Sequence, residues 1–231
     1  MALGHNPSIV ATGLSLCMDS ANLRSYPGSG TKIYDISGSG LTGNVVNGTS
    51  YVSGTSGYFQ FDGVDDYITF GNTTVANVFP NDFTVSAWVY RLTNTGPAWG
   101  NIIGDYYTAQ LADEWQMMIS NSAQLFVYRI GNGYVIPATS SGYSVNQWIN
   151  AVLTRVGSTI TLYANNNVIA TATNSNTWGS ATGNLNIGID GNNSAEPLNG
   201  RISDVMIYKG LGLSAAQVSQ NFNALRGRYG I

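Results

Sequence analysis

YFQFDGVDDYITF, residues 58 to 70, is the stretch that decides how this chain folds. Phe59 and Phe61 fall on one side of the first run, and Ile68 and Phe70 on one side of the second. That period of two belongs to half-buried strands. Between the runs, Asp62, Gly63, Asp65 and Asp66 supply a turn, because Asp bonds nearby backbone groups and Gly tolerates positive φ. The segment therefore predicts a strand, a turn and a strand, with its aromatic residues committed to a core.

The same pattern extends in both directions. Leu14 to Asp19 predicts a first strand, and FTVSAWVY (83 to 90) predicts one bulky on both faces, covered by core on one side and partly covered on the other. Further strands are expected at Trp115 to Ser120, Gln124 to Ile130, Gln147 to Val156, Thr159 to Ala164, Val168 to Thr173, Asn184 to Asp190 and Arg201 to Tyr208. Asn165, Asn166 and Asn167 predict a tight hairpin turn, since Asn enters left-handed backbone more readily than most residues. Residues 19 to 57, punctuated by Pro27-Gly28, Gly30, Gly38 and Gly40, read as a loop packed across a sandwich. Residues 1 to 13 read as an arm, with His5 and Pro7 discouraging regular structure, and residues 14 to 231 as a single domain. A helix is expected after Ser214: Gln217 completes a capping box, Leu213 and Val218 form a staple, and Gly227 ends it.

Composition narrows the role. The 231 residues are 43% hydrophobic but only 9% charged, so the surface must be largely uncharged and polar. A net charge of -3 excludes the phosphate neutralisation on which nucleic-acid binding relies. No stretch is long and apolar enough for a helix to enter a bilayer, and the N-terminus lacks the pattern of a secretory signal, so synthesis in a cytoplasm is expected. Cys17, the single cysteine, sits in an apolar run and reads as a buried, inert thiol.

Five segments in order carry a family likeness: residues 13 to 40, FDGVDDYITF (61 to 70), FTVSAWVY, QWINAVLTRVGSTITLYANNN (147 to 167) and LNGRISDVMIYKGLGLSAAQV (198 to 218). Together they resemble the laminin-G-like, concanavalin-A-like lectin and glucanase jelly rolls. The resemblance implies an all-β fold of two stacked antiparallel sheets with a short C-terminal helix. SYPGSGT (25 to 31) and QNFNALRGRYGI (220 to 231) further resemble laminin-G-like proteins of tailed bacteriophages, cyanophages included. That implies a virion surface protein, in decoration, a fibre or adhesion. It would bind a host glycan or other virion proteins, the latter through residues 1 to 13, and homo-oligomers fit the same setting. The alternatives are a capsid cement or oligomerising protein and a carbohydrate-active enzyme.

Glu occurs only at 114 and 196, neither in the E-x-D-x-x-E spacing of the resembling glucanases. Asp113 and Glu114 would face opposite sides of an extended chain, so the sequence predicts no catalytic activity. His5 lies in the arm and serves no triad. For a ligand, Trp99, Tyr106, Tyr107 and Trp115 are the candidates, since flat rings stack on sugars and neighbouring Asn and Asp bond hydroxyls. For a metal, Asp62, Asp65, Asp66 and Asp190 are the candidate ligands and calcium the candidate ion, because hard cations prefer carboxylate oxygens.

Overall fold

The computed structural model describes residues 8–71, 82–92, 96–105, 114–129, 133–178, 183–190 and 196–231. Strands β1 (Leu14–Asp19), β2 (Lys32–Tyr34), β3 (Thr42–Val46), β4 (Ser50–Val52), β5 (Tyr58–Asp62) and β6 (Tyr67–Thr69) come first. Then follow β7 (Phe83–Arg91), β8 (Trp99–Gly104), β9 (Trp115–Ser120), β10 (Gln124–Arg129) and β11 (Gly133–Ser140). The strands end with β12 (Trp148–Val156), β13 (Thr159–Ala164), β14 (Asn167–Thr173), β15 (Asn186–Ile187) and β16 (Asn199–Lys209). Helix α1 (Ala215–Leu225) and a 3-10 turn, Arg226–Tyr229, close the chain.

Among the described residues these strands form two antiparallel sheets of eight. The first runs β14-β13-β12-β7-β16-β5-β4 and the second β11-β10-β9-β8-β15-β6-β3-β2. The long β16 gives one edge to β7 and shares the other, residues 199–202 pairing β5 and residues 204–208 pairing β1. The fold is the expected two-sheet jelly-roll sandwich with a C-terminal helix. Alternate residues of each strand meet between the sheets: Val85, Ala87 and Val89 from β7, Ile202, Val205 and Ile207 from β16, and Met117 and Ile119 from β9 are all fully buried there.

The segment at residues 58 to 70 does more than turn. Its strands β5 and β6 belong to opposite sheets, so the Asp62–Asp66 corner carries the chain across the sandwich. Phe59 and Phe61 enter the core from one sheet, Ile68 and Phe70 from the other. The hairpin at Asn165 and Asn166 forms as expected, both residues having positive φ (44° and 69°).

Three expectations are corrected. Residues 19 to 57 are not a plain loop, because β2, β3 and β4 lie within them and place Ile33 in the core. The expected strands were incomplete, because β8 lies between those expected at 83 to 90 and 115 to 120, and β11 follows the one expected at Gln124 to Ile130. Of the expected arm, residues 8 to 13 are docked on the chain's own helix. Val10 N–H donates to Asn221 Oδ1 at 2.8 Å, Tyr208 Oη–H donates to the Val10 carbonyl at 2.8 Å, and Gln220 reaches the Ser8 carbonyl.

The helix covers the outer face of the first sheet. Its capping box forms between Ser214 and Gln217, and Leu213 and Val218 are buried together against Cys17, Trp88, Val152, Met206 and Tyr208. The helix runs on past Leu225 as the 3-10 turn, so Gly227 does not end it; Gly230, at φ 75°, does. Within that turn Tyr229 stacks on Trp88 with ring centroids 4.0 Å apart. Arg228 Nη1 donates to both oxygens of Asp19 at 2.9 Å, and Asp204 faces Asp19 across the ladder. Burial and then the Asp19 charge push the Asp204 carboxyl well above its ordinary range. Burial likewise pushes the Cys17 thiol up, which leaves it protonated and inert.

Phe222 is only half-buried, lying against Trp88 at 5.7 Å, whereas Leu225 is 6% exposed. Leu225→Ala is therefore expected to cost about 2–5 kcal/mol of unfolding free energy, and Phe222→Ala about 1–2 kcal/mol. Denaturant unfolding checks the order; a larger loss at Phe222 would contradict this packing.

Candidate functional site

The second sheet turns its inner face to the core and its outer face away from it. Along β9, Trp115, Met117 and Ile119 point inward, so Gln116 and Met118 point outward. Along β10, Leu125 and Val127 point inward and Phe126 and Tyr128 outward. The register pairs Trp99 with Ser120, Phe126 with Met118 and Tyr128 with Gln116, which brings these outward side chains into one patch. Tyr134 of β11 joins it, pairing Tyr128.

These residues, with Asp190 and Glu196, line a recess of about 250 Å³. Its aromatic rings brace one another edge to face: Trp99 and Phe126 at 4.7 Å, Phe126 and Tyr134 at 5.9 Å, Tyr128 and Tyr134 at 5.4 Å. Phe126 and Met118 form a dry floor, while Trp99 and Tyr128 are half-buried and Tyr134 is exposed. Gly104 lies opposite Gln116, where a Cβ would come within 2.8 Å of the Gln116 Cβ, so a side chain there would crowd the floor.

The acidic side of the recess is held by β8. Asn101 N–H donates to the Glu196 carbonyl at 2.8 Å, and the Asn101 amide donates to the Ile189 carbonyl at 2.5 Å. The Asn186 amide donates to the Asp190 carbonyl at 3.0 Å. Glu196 takes a positive φ of 55°, a conformation that costs a non-glycine residue free energy and is held by these contacts. Burial, and next the charge of Asp190, raise the Glu196 carboxyl above its ordinary range, while a hydrogen bond from Gln116 opposes them. Gln116 is 4% exposed, and its Oε1 has no hydrogen-bond partner.

Of the four aromatic candidates, the structure places Trp99 in the wall of this recess. Trp115 is fully buried in the core between the sheets, because alternation along β9 turns it inward, and it is removed from any external contact. Tyr106 and Tyr107 lie outside the described residues. Apart from Asp190, a metal candidate, and Glu196, considered as a catalytic acid, the remaining lining residues were not singled out from sequence. Their signal was an outward face on β10 that carries Phe126 and Tyr128, where a solvated sheet would carry polar side chains.

The acidic candidates separate in the same way. Asp62, Asp65 and Asp66 gather with carboxylate oxygens within 4.8 Å of one another at the sheet-crossing corner, while Asp190 lines the recess. The corner's oxygens serve the turn: Asp62 Oδ1 accepts from Val64 N–H at 2.8 Å, and Asp66 Oδ2 accepts from Asp62 N–H at 3.0 Å. Three hard carboxylates also suit a divalent ion, and nothing in the donor set singles out calcium. Burial pushes the Asp66 carboxyl up to about 6 from an ordinary 3.8, and the charges of Asp62 and Asp65 add to the shift.

A family profile described as the concanavalin A-like lectin/glucanases superfamily matches residues 62–219. A search of curated proteins gave no match. Among solved structures, Trypanosoma rangeli sialidase is similar over 96% of this chain at 14% identity and a TM-score of 0.70. The same sialidase in complex with sialic acid is similar over 96% at 15% identity, with a TM-score of 0.69. The binding domain of Paraclostridial Mosquitocidal Protein 1 is similar over 93% at 18% identity, with a TM-score of 0.68. This chain spans about a third of the length of those sialidase chains and about half of the binding-domain chain. At these identities the likeness is one of fold.

The expectation of no catalytic activity is corrected. The fold is shared with chains described as sialidases, and the sequence count of carboxylates missed how folding groups them. Three acids meet at the corner, and Asp190 and Glu196 meet in the recess.

Asp66 holds a proton in the folded state between 3.8 and about 6 that it has lost when unfolded. Its contribution to stability is therefore full at low pH and is lost as pH rises through about 6. Asp66→Asn, which keeps an acceptor for Asp62 N–H, is expected to flatten the fall in melting temperature from pH 4 to 7. Added divalent ion is expected to raise the wild-type melting temperature at pH 7 and leave that of the variant unchanged. Equal responses of the two proteins at pH 7 would remove the corner as an ion site.

Proposed function

We propose that this chain, which belongs to the concanavalin A-like lectin/glucanase superfamily, recognises carbohydrate in the recess on the outer face of its second sheet. The observation that carries the reading is the pairing of an aromatic wall with an acidic, amide-bearing side in one concavity. Half-buried Trp99 and Tyr128 offer flat faces to a sugar ring, and Asp190, Glu196 and Gln116 offer acceptors to its hydroxyls. Because the rings already brace one another, little side-chain freedom is lost when a ligand docks.

A second reading, glycan processing, is favoured by the coupled carboxyls of Asp190 and Glu196. Glycoside hydrolysis calls for one protonated and one ionised carboxyl beside the scissile bond, and two acids whose charges oppose each other divide in that way. Glu196, with its raised carboxyl, takes the acid role in this reading.

The finer part of the proposal is a place on a bacteriophage particle, as a decoration, fibre or adhesion component. It is supported by the resemblance of residues 25 to 31 and 220 to 231 to phage-carried proteins and by the charge-poor surface. With residues 8 to 13 engaged by the chain's own helix, contact with another virion protein is assigned to residues 1 to 7.

A glycan array probed with wild type and Trp99→Ala tests recognition. The variant is expected to lose about tenfold in affinity for any glycan that the wild type captures while remaining folded, with a stability loss of about 1–2 kcal/mol like that at half-buried Phe222. Undiminished capture by the variant would remove the recess as the binding site. Reducing sugar released from a captured glycan by wild type, and abolished in Glu196→Gln, would establish the second reading.

A further inference from the structure

Val89 and Ile149 point into the core, so Tyr90 and Trp148, paired across the ladder between β7 and β12, point away from it on the outer face of the first sheet. There they join a hollow of about 290 Å³, closed by the loop before β12, the β13–β14 hairpin and the C-terminal turn. Tyr90, Tyr143 and Trp148 supply its rings, and Asn146, Gln147 and Asn165 its amides. Each of these elements lies wholly within the described residues. We propose that this hollow is a second carbohydrate site, separate from the recess on the other sheet, and that its ligand is an uncharged sugar.

The rings are fixed before any ligand arrives. Trp148 meets Tyr58 and Tyr90 edge to face at 5.9 and 5.5 Å, and Tyr229 at 4.9 Å. The Arg201 guanidinium lies over the Tyr58 and Tyr90 rings, 4.8 and 4.7 Å from their centres, and stiffens the same group. Trp148 is half-buried, which leaves part of its indole to the hollow. The polar side is equally built. Asn165 is only 7% exposed, and its Oδ1 is taken by the Asn150 N–H at 2.7 Å. Its Nδ2 makes no hydrogen bond, so a buried amide of set orientation keeps a donor for the hollow that it lines. Asn146 and Gln147 are exposed, and their side-chain amides are unengaged as well. An amide donates and accepts, as a hydroxyl does, and none of the lining side chains carries a charge. A neutral sugar satisfies both halves, with its apolar face on the rings and its hydroxyls on the amides. With the two sites on the outer faces of opposite sheets, one chain can hold two glycan chains at once.

Isothermal titration of the full chain and of its Trp99→Ala variant separates the sites, with cellotetraose, maltotetraose and mannotetraose as uncharged probes and sialyllactose as a charged one. Trp99→Ala, with the recess impaired, is expected to retain one site per chain for at least one uncharged probe. In that background Asn165→Asp, which keeps an acceptor for Asn150 N–H and replaces the free donor, is expected to weaken binding about tenfold. Gln147→Ala, at an exposed side chain, is expected to weaken it about threefold at an unchanged melting temperature. Lys32→Ala, exposed on β2 of the other sheet, is expected to change nothing. Wild-type binding that Trp99→Ala abolishes would overturn the second site and leave the recess as the place of carbohydrate recognition. Unchanged affinity in both amide variants, or sialyllactose bound tighter than every uncharged probe in the Trp99→Ala background, would also overturn it. Binding of none of the four probes by wild type would overturn the second site, the recess being decided by the glycan array.

Discussion

Dryness of sheet faces governs what this molecule can offer to a ligand. The central strands of the first sheet are buried on both sides, by the second sheet within and by α1 and its 3-10 turn without. Trp88, Met206 and Tyr208 would otherwise face water, and the helix with Val10 and Tyr229 covers them. Over the second sheet no helix lies among the described residues, and of its outward side chains Gln116, Met118 and Phe126 are buried while Trp99, Tyr128 and Tyr134 reach the surface. The recess with its aromatic wall therefore forms on the outer face of the second sheet.

Scarcity of charge gives the few ionisable groups unusual weight. Several are gathered: Asp19 with Arg228 and Asp204 under the C-terminal turn, Asp62, Asp65 and Asp66 at the corner, Asp190 and Glu196 in the recess. The first group is locked by an ion pair and serves the fold. In the second, backbone N–H groups occupy part of the oxygens. In the third, the carboxylates stand beside the aromatic wall of the recess.

Much of the fold was legible because it depends on alternation, which survives in one dimension. FTVSAWVY showed bulk on both faces, and β7 is buried on both. The Ser214 and Gln217 spacing announced the capping box that forms. Strands β8 and β11 were hidden because Gly100 and Gly104 in one, and Gly133 and Pro137 in the other, read as breaks. Gly100 and Gly104 are required by close approach, as Gly104 shows against Gln116, Gly133 takes a positive φ of 69°, and proline is tolerated because β11 lies at the sheet edge. The site was less legible than the fold. Trp99 and Trp115 look alike in sequence, and only the phase of their strands sends one to the recess and the other to the core. Asp190 and Glu196 become neighbours through hydrogen bonds to Asn101 and Asn186, a relation that spacing does not encode.

The place of β16 has a consequence for how the chain is made. It lies between β7 and β5, and its partner β1 sits nearly two hundred residues earlier, with Leu14 opposite Tyr208. A ribosome must therefore extrude almost the whole chain before the first sheet can close. The β12-β13-β14 and β8-β9-β10-β11 meanders are complete before that moment. For the interval, β1 and β5 wait with apolar side chains and unpaired edges, the state in which nascent β proteins aggregate. Final assembly is thus a late, long-range closure, slow by the entropy of the loop it must shut.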